Sequence, residues 1–209
     1  MKINEIFYSL QGEGFHTGTP AVFVRFAGCN LNCPFCDTVF ASCKEMSEAE
    51  VVSEVLKCPG NQVLKQSSSQ AFRHSGLVVI TGGEPSIQLT GSLVDALHRQ
   101  GRRVAVETNG THPLPSNVDW ITLSPKDMFL GKVAALVLSE VDELKVVFDG
   151  IHKPELYEHI NVRHARFLQP CDTGDPQRNG IIINQTIEYI KANPQWRLSL
   201  QTHKIVGIR

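Results

Sequence analysis

The sequence predicts an α/β protein built on a mostly parallel sheet, and two patterns predict it. Short β-branched runs alternate with segments of helical periodicity, as strand–helix–strand units require. Almost every such run also leads into a polar or glycine-containing motif. In a parallel sheet or barrel the C-terminal strand ends open on one face, so those motifs would meet there. The length of 209 residues suits a single domain, at roughly 150 residues per domain. No period of about 20 to 50 residues repeats, which excludes a solenoid.

The strand-like runs are 21–26, 77–81, 103–108, 120–123, 143–148, 165–169 and 197–201. Ser47 and Glu50 form a capping box, in which each satisfies an orphan N–H of the other, and Val51, Val52, Val55 and Leu56 follow as an apolar face. A second helix carries Leu89, Leu93, Val94 and Leu97 and stops at Gly101. A third covers about 184–191, uses Ile187 and Ile190, and ends before Pro194. The polar stretch 59–75 reads as a surface loop or insertion and not as a domain boundary.

Lys plus Arg number 20 against 21 Asp plus Glu. That balance excludes gripping nucleic acid by counterion release alone. No apolar run reaches the roughly 18 residues of a membrane span, and the start is polar too soon for a secretion signal. The expected location is therefore the cytoplasm, where thiols stay reduced, and the six cysteines need an explanation other than disulfides. Cys43, Cys58 and Cys171 are scattered and expected to be buried small hydrophobes.

Cys29, Cys33 and Cys36 sit together directly after the first parallel run, in a loop with Gly28, Asn30, Asn32 and Pro34. Soft thiolates select iron–sulfur, zinc or copper(I). A structural zinc site or a ferredoxin cluster takes four ligands, whereas this loop supplies three. A [4Fe–4S] cluster on three thiolates would leave one iron open. Three alternatives stand beside that reading: a thioredoxin-like dithiol at Cys33 and Cys36, a zinc site completed by Cys43, or ordinary core cysteines.

The spacing Cys29-x-x-x-Cys33-x-x-Cys36, with Gly82-Gly83-Glu84-Pro85 after the next strand, resembles the radical S-adenosylmethionine (SAM) superfamily. Further motifs narrow the likeness: Tyr8-Ser9-Leu10-Gln11-Gly12-Glu13-Gly14, Arg25-Phe26-Ala27-Gly28, Phe35-Cys36-Asp37-Thr38, Glu107-Thr108-Asn109-Gly110, Ser124-Pro125-Lys126 and Gln201-Thr202-His203-Lys204. Together they resemble the 7-carboxy-7-deazaguanine synthases, and the resemblance runs the length of the chain. It implies a partial parallel β/α barrel of about six strands with few covering helices. It also implies rearrangement of 6-carboxy-5,6,7,8-tetrahydropterin to 7-carboxy-7-deazaguanine with loss of ammonia, in queuosine biosynthesis. A flavodoxin or ferredoxin would donate the electron, and the protein would be a homodimer.

The resemblance places the cluster on Cys29, Cys33 and Cys36. SAM falls to Phe35, Cys36, Asp37, Gly83, the Ser124-Pro125-Lys126 turn and Gln169-Pro170-Cys171-Asp172, with Gly-Gly-Glu-Pro holding its methionine amino group. Thr38 is the implied Mg²⁺ ligand; one hydroxyl suits an ion that keeps most of its waters. Leu10, Gln11, Gly12, Arg25, Thr81 and Arg209 are the implied substrate residues. Read alone, residues 10–12 are a glycine turn between an N-terminal strand and the 21–26 run. Arg25, on the side of its strand shared with Ala21 and Phe23, must be paired if buried. Either it meets an internal carboxylate such as Glu13 or Glu107, or it clamps a substrate carboxylate. For Arg209 only a main-chain contact carries over, because a proline is one form the family's last residue takes.

Overall fold

The computed structural model describes residues 1–36, 38, 43–59 and 76–209. Asp37, and the surface-loop reading for everything past Pro59, lie outside them. The described strands are β1 (Lys2–Leu10), β2 (Pro20–Phe26), β3 (Lys44–Glu45), β4 (Leu77–Gly82), β5 (Arg103–Thr108), β6 (Trp120–Leu123), β7 (Glu140–Phe148), β8 (Asn161–Pro170) and β9 (Trp196–Leu198). They form one sheet in the order β3-β1-β2-β4-β5-β6-β7-β8-β9. β1 runs antiparallel to both neighbours, and β2 with β4 to β9 form a parallel run of seven. β3 and β9 remain as edges. The architecture is the expected partial barrel, one parallel strand richer than expected.

Strand periodicity sorts the two faces of the sheet. Val22, Val24 and Phe26 of β2 pack with Val78, Ile80, Val104 and Val106 beneath α1 (Glu48–Lys57) and α2 (Gly91–Arg99). A second core under α4 (Pro176–Ala192) joins Leu144, Val146 and Leu168 to Tyr189 and Ile190. The other face carries Ala21, Phe23, Val79 and Ala105. Further toward the C-terminal strand ends the residues of that face turn polar, and this is where the site lies.

The capping box forms as expected: Ser47 Oγ accepts from Glu50 N at 3.3 Å and Glu50 Oε2 accepts from Ser47 N at 2.8 Å. α4 corrects the sequence reading, for it begins at Pro176 and not near 184. Asp175 caps Gln177 N at 2.9 Å with Pro176 in the first turn, a start signal that three consecutive isoleucines obscured. The last strand was expected over 197–201 but ends at Leu198. Thr202 N instead donates to Gly12 O at 3.0 Å, turning the chain into α5 (Thr202–Val206). Of the scattered cysteines Cys171 is buried, Cys58 is half-buried and Cys43 is exposed. Cys43 therefore departs from expectation; it precedes a two-residue edge strand whose Lys44 and Glu45 are exposed as well.

Candidate active site

A cavity of about 810 Å³ opens at the C-terminal ends of the parallel strands. Its floor is a polar row with Arg25 from β2, Thr81 from β4, Glu107 from β5, Lys145 from β7 and Gln169 from β8. Each occupies an inward position of its strand, where the alternation that buries Phe23 or Ala105 lower down presents a polar side chain to the cavity. The segment after β1 lies alongside, contributing Gln11, Gly12 and Glu13.

Charge in this floor centres on Lys145. Its ammonium donates to Glu13 Oε2 at 2.5 Å and Glu107 Oε1 at 3.4 Å. Burial alone would lower its pKa, but Glu107, Glu13 and Glu143 around it raise it, so it stays a cation. Burial works to raise the Glu13 carboxyl, and Lys145 with a Gln201 hydrogen bond overrides that, bringing it to about 2. Glu107 also accepts from Gln11 Nε2 at 3.1 Å and Thr81 Oγ1 at 2.9 Å. Two carboxyl groups therefore share one buried ammonium at the cavity floor.

Arg25 pairs with neither Glu13 nor Glu107 but with Glu5 across the antiparallel β1–β2 ladder, Nε to Oε1 at 3.0 Å. Lys145 already occupies both candidate partners. Among the described residues the two Nη groups of Arg25 have no hydrogen-bond partner, and the side chain borders the cavity. Arg209 lies beside it, its guanidinium 2.6 Å from Glu5 Oε2 and its backbone oxygen accepting from Ser9 Oγ at 2.7 Å.

The cysteine loop forms the opposite wall, with Cys29, Cys33 and Cys36 all lining the cavity. Among the described residues no three His, Cys, Asp or Glu side chains gather around one point as a single metal ion requires. A cluster takes each thiolate on a separate iron and does not require one such point; what the structure supplies toward it is three thiols of one loop bordering one cavity. Partial burial pushes the Cys29 and Cys33 thiols up, so binding iron would release protons. Cys43 does not border the cavity.

The loop rests on the Gly-Gly-Glu-Pro turn. Gly83 N donates to Phe26 O and Glu84 N to Gly28 O, both at 2.9 Å. Glycine is required at 83 by contact: a Cβ there would stand 1.8 Å from Gly28 O. Overpacking of this kind costs about 1–3 kcal/mol. Gly83→Ala is expected to fold yet lose most of its capacity to hold iron, as read by iron and sulfide analysis after anaerobic reconstitution.

Lys126 reaches the cavity from the Ser124 turn, donating to Ser124 O at 2.6 Å and Oγ at 2.7 Å. Withdrawal from water pulls its ammonium down to about 8, against an upward pull from Cys33. Asp172 is held at about 2 by the Gly174 N–H, Lys204 and Asn179. Every described residue that the sequence nominated for the site borders this cavity except Pro125 and the proline of the Gly-Gly-Glu-Pro turn, Pro85, both of which are buried; Asp37 lies outside the described residues. Lys145, Glu5, Phe7, His203 and Lys204 also line it and were not nominated. Lys145 had a readable signal, a lysine in mid-run between Leu144 and Val146.

Comparison with known proteins agrees with this geometry. The sequence profile of the Radical SAM superfamily matches residues 23–129, from β2 through the cysteine loop to α3 (Asp127–Leu130). The 7-carboxy-7-deazaguanine synthase of Bacteroides thetaiotaomicron is 45% identical over 208 residues, covering 100% of this chain and 98% of the relative. That of Bordetella pertussis is 41% identical over 224 residues, covering 99% and 98%. The crystal structure of QueE from Escherichia coli superposes with a TM-score of 0.70 at 29% identity, covering 97% of this chain and 94% of that one. With identity of this level across its whole length and the thiol loop seated at the mouth of the matching barrel, the chain belongs to the 7-carboxy-7-deazaguanine synthase family of the radical SAM superfamily.

Proposed function

We propose that this chain rearranges 6-carboxy-5,6,7,8-tetrahydropterin to 7-carboxy-7-deazaguanine, the product for which its relatives are named, releasing ammonia. The observation that carries the reading is one cavity bounded by three thiols on one wall and by Arg25, Glu107 and Lys145 on its floor. Cys29, Cys33 and Cys36 would hold the [4Fe–4S] cluster. Gly83, the Ser124 turn, Asp172 and their neighbours would hold SAM. When bound, these groups supply a 5′-deoxyadenosyl radical able to take hydrogen from C6 of the substrate.

The chain's own residues position and select. Arg25 offers its two Nη groups to the substrate carboxylate as a planar fork. Glu13, kept ionised by Lys145, and Glu107 accept from the amino-bearing edge of the pterin, and Gln11 offers both a donor and an acceptor. A floor fixed by internal ion pairs need not reorganise as substrate enters. Thr38 would ligate Mg²⁺ together with the substrate carboxylate. A flavodoxin or ferredoxin would deliver the electron, and the working unit would be a homodimer in the cytoplasm with no nucleic-acid or membrane partner. No helix of the described residues is long and apolar enough to cross a membrane.

Mass spectrometry of products tests the reading, after reconstituted protein is incubated without oxygen with the carboxypterin, SAM, Mg²⁺ and a reductant. A deazapurine acid and 5′-deoxyadenosine are expected. SAM cleavage without the deazapurine would overturn the substrate, and colourless protein holding zinc would overturn the chemistry. Thr38→Ala is expected to slow product formation mainly at low Mg²⁺, with the rate recovering as Mg²⁺ is raised.

A further inference from the structure

We propose that Asn109 and Thr111 are positioning residues for Cys29, acting through Asn30; the inference rests on the reading that this loop carries the cluster. Residues 27–36 belong to no strand or helix, and the backbone bonds from the Gly83–Glu84 turn end at Gly28. Beyond that point, among the described residues, Asn30 makes the only side-chain hydrogen bonds between residues 29–36 and the rest of the chain. Its Nδ2 donates to Thr111 Oγ1 at 2.9 Å, and its Oδ1 accepts from Asn109 Nδ2 at 3.1 Å. Thr111 Oγ1 closes the ring by donating to Asn109 Oδ1 at 2.7 Å.

The ring is fixed from beneath. Asn109 is 7% exposed, and its backbone N–H donates to Glu84 Oε2 at 2.7 Å. Glu84 is 1% exposed and its other oxygen accepts from Thr108 Oγ1 at 2.6 Å. A buried carboxylate thus locks the end of β5, and the end of β5 locks the residue next to Cys29. A closed ring of three mutually satisfied polar side chains has few alternative arrangements. Its effect is to keep the Cys29 thiol on the cavity wall although the residue is exposed. Free to swing, that loop would meet iron with one ligand misplaced.

Thr111→Val removes the hydroxyl that accepts from Asn30, donates to Asn109 and lies 2.9 Å from His112 Nδ1, while keeping the side chain's shape. Thr111→Ser keeps the hydroxyl. Loss of the hydroxyl is expected to speed iron loss from reconstituted protein to a chelator by about tenfold, to change the electron paramagnetic resonance spectrum of the reduced cluster, and to raise the alkylation rate of Cys29 in the iron-free protein. SAM affinity of the iron retained should stay near wild type, and Thr111→Ser should restore all these readings. Equal iron retention and equal Cys29 alkylation in Thr111→Val and wild type would overturn the proposal. So would weakened SAM binding with iron retention intact, because the pair would then be touching SAM itself. Neither iron retention nor alkylation requires the pterin, so a failure of the substrate assignment leaves this test standing.

Discussion

In Cys36→Ala, reductive cleavage of SAM should fall to background while the fold survives. Cys36 is exposed and belongs to none of the hydrophobic cores, so truncating it to alanine removes little packing. It takes away one of the three thiols of the loop; Cys43 lies off the cavity, and Cys171, which borders it, is buried at the end of β8 and outside the loop. Iron analysis, 5′-deoxyadenosine quantification and a thermal melt together check the expectation. Cleavage at the wild-type rate would show that the loop does not hold the cluster, and the proposed reaction would lose its start.

Lys145→Met should produce the largest loss of stability of any single change in the cavity floor. The methionine fills much of the volume but leaves Glu13 and Glu107 facing each other without a cation. Breaking a buried pair from one side costs about 3–5 kcal/mol, which in a chain of this size lowers Tm by about 10 °C. The pH dependence carries a sign. In the wild type the folded Glu13 carboxyl sits at about 2 against an ordinary 4.5. Its stabilising share is therefore complete above 4.5 and disappears as pH falls toward 2. In the variant the same carboxyl is buried without its partner and its affinity for protons rises, so acidification relieves it. The gap between the two melting curves should be widest near neutrality and narrow steadily below pH 5. A gap constant from pH 7 to pH 3 would show that Lys145 is not what keeps Glu13 ionised.

Most of the fold was legible because its signals are local. Each parallel strand but the last was marked by its own β-branched run, and the Ser47 capping box announced α1 to the residue. The motifs after those strands meet in one cavity because parallel strands end on one face, a consequence of topology that needs no contact information. What escaped depends on partners distant in sequence. The last strand was overextended because Gly12, some 190 residues upstream, captures Thr202. The internal carboxylate that Arg25 meets is Glu5 and neither Glu13 nor Glu107, because the antiparallel pairing that sets Glu5 opposite it has no signature in the β2 segment. Lys145 was passed over for the same reason. A lysine in an apolar run is conspicuous, but its meaning lies in Glu13, 132 residues away.

The seam between the two ends of the chain has a consequence for biosynthesis. Ser9 meets the backbone of Arg209 across 200 residues of sequence, and Glu13 meets Gln201 across 188. A ribosome delivers the thiol loop and the entire core around α1 and α2 well before it makes that far edge. Contacts of such long sequence separation form late. The nascent protein therefore carries its thiol loop and the strands beneath α1 and α2 before it has made the residues that close the far edge of the cavity, and closing that edge joins the earliest part of the chain to the latest.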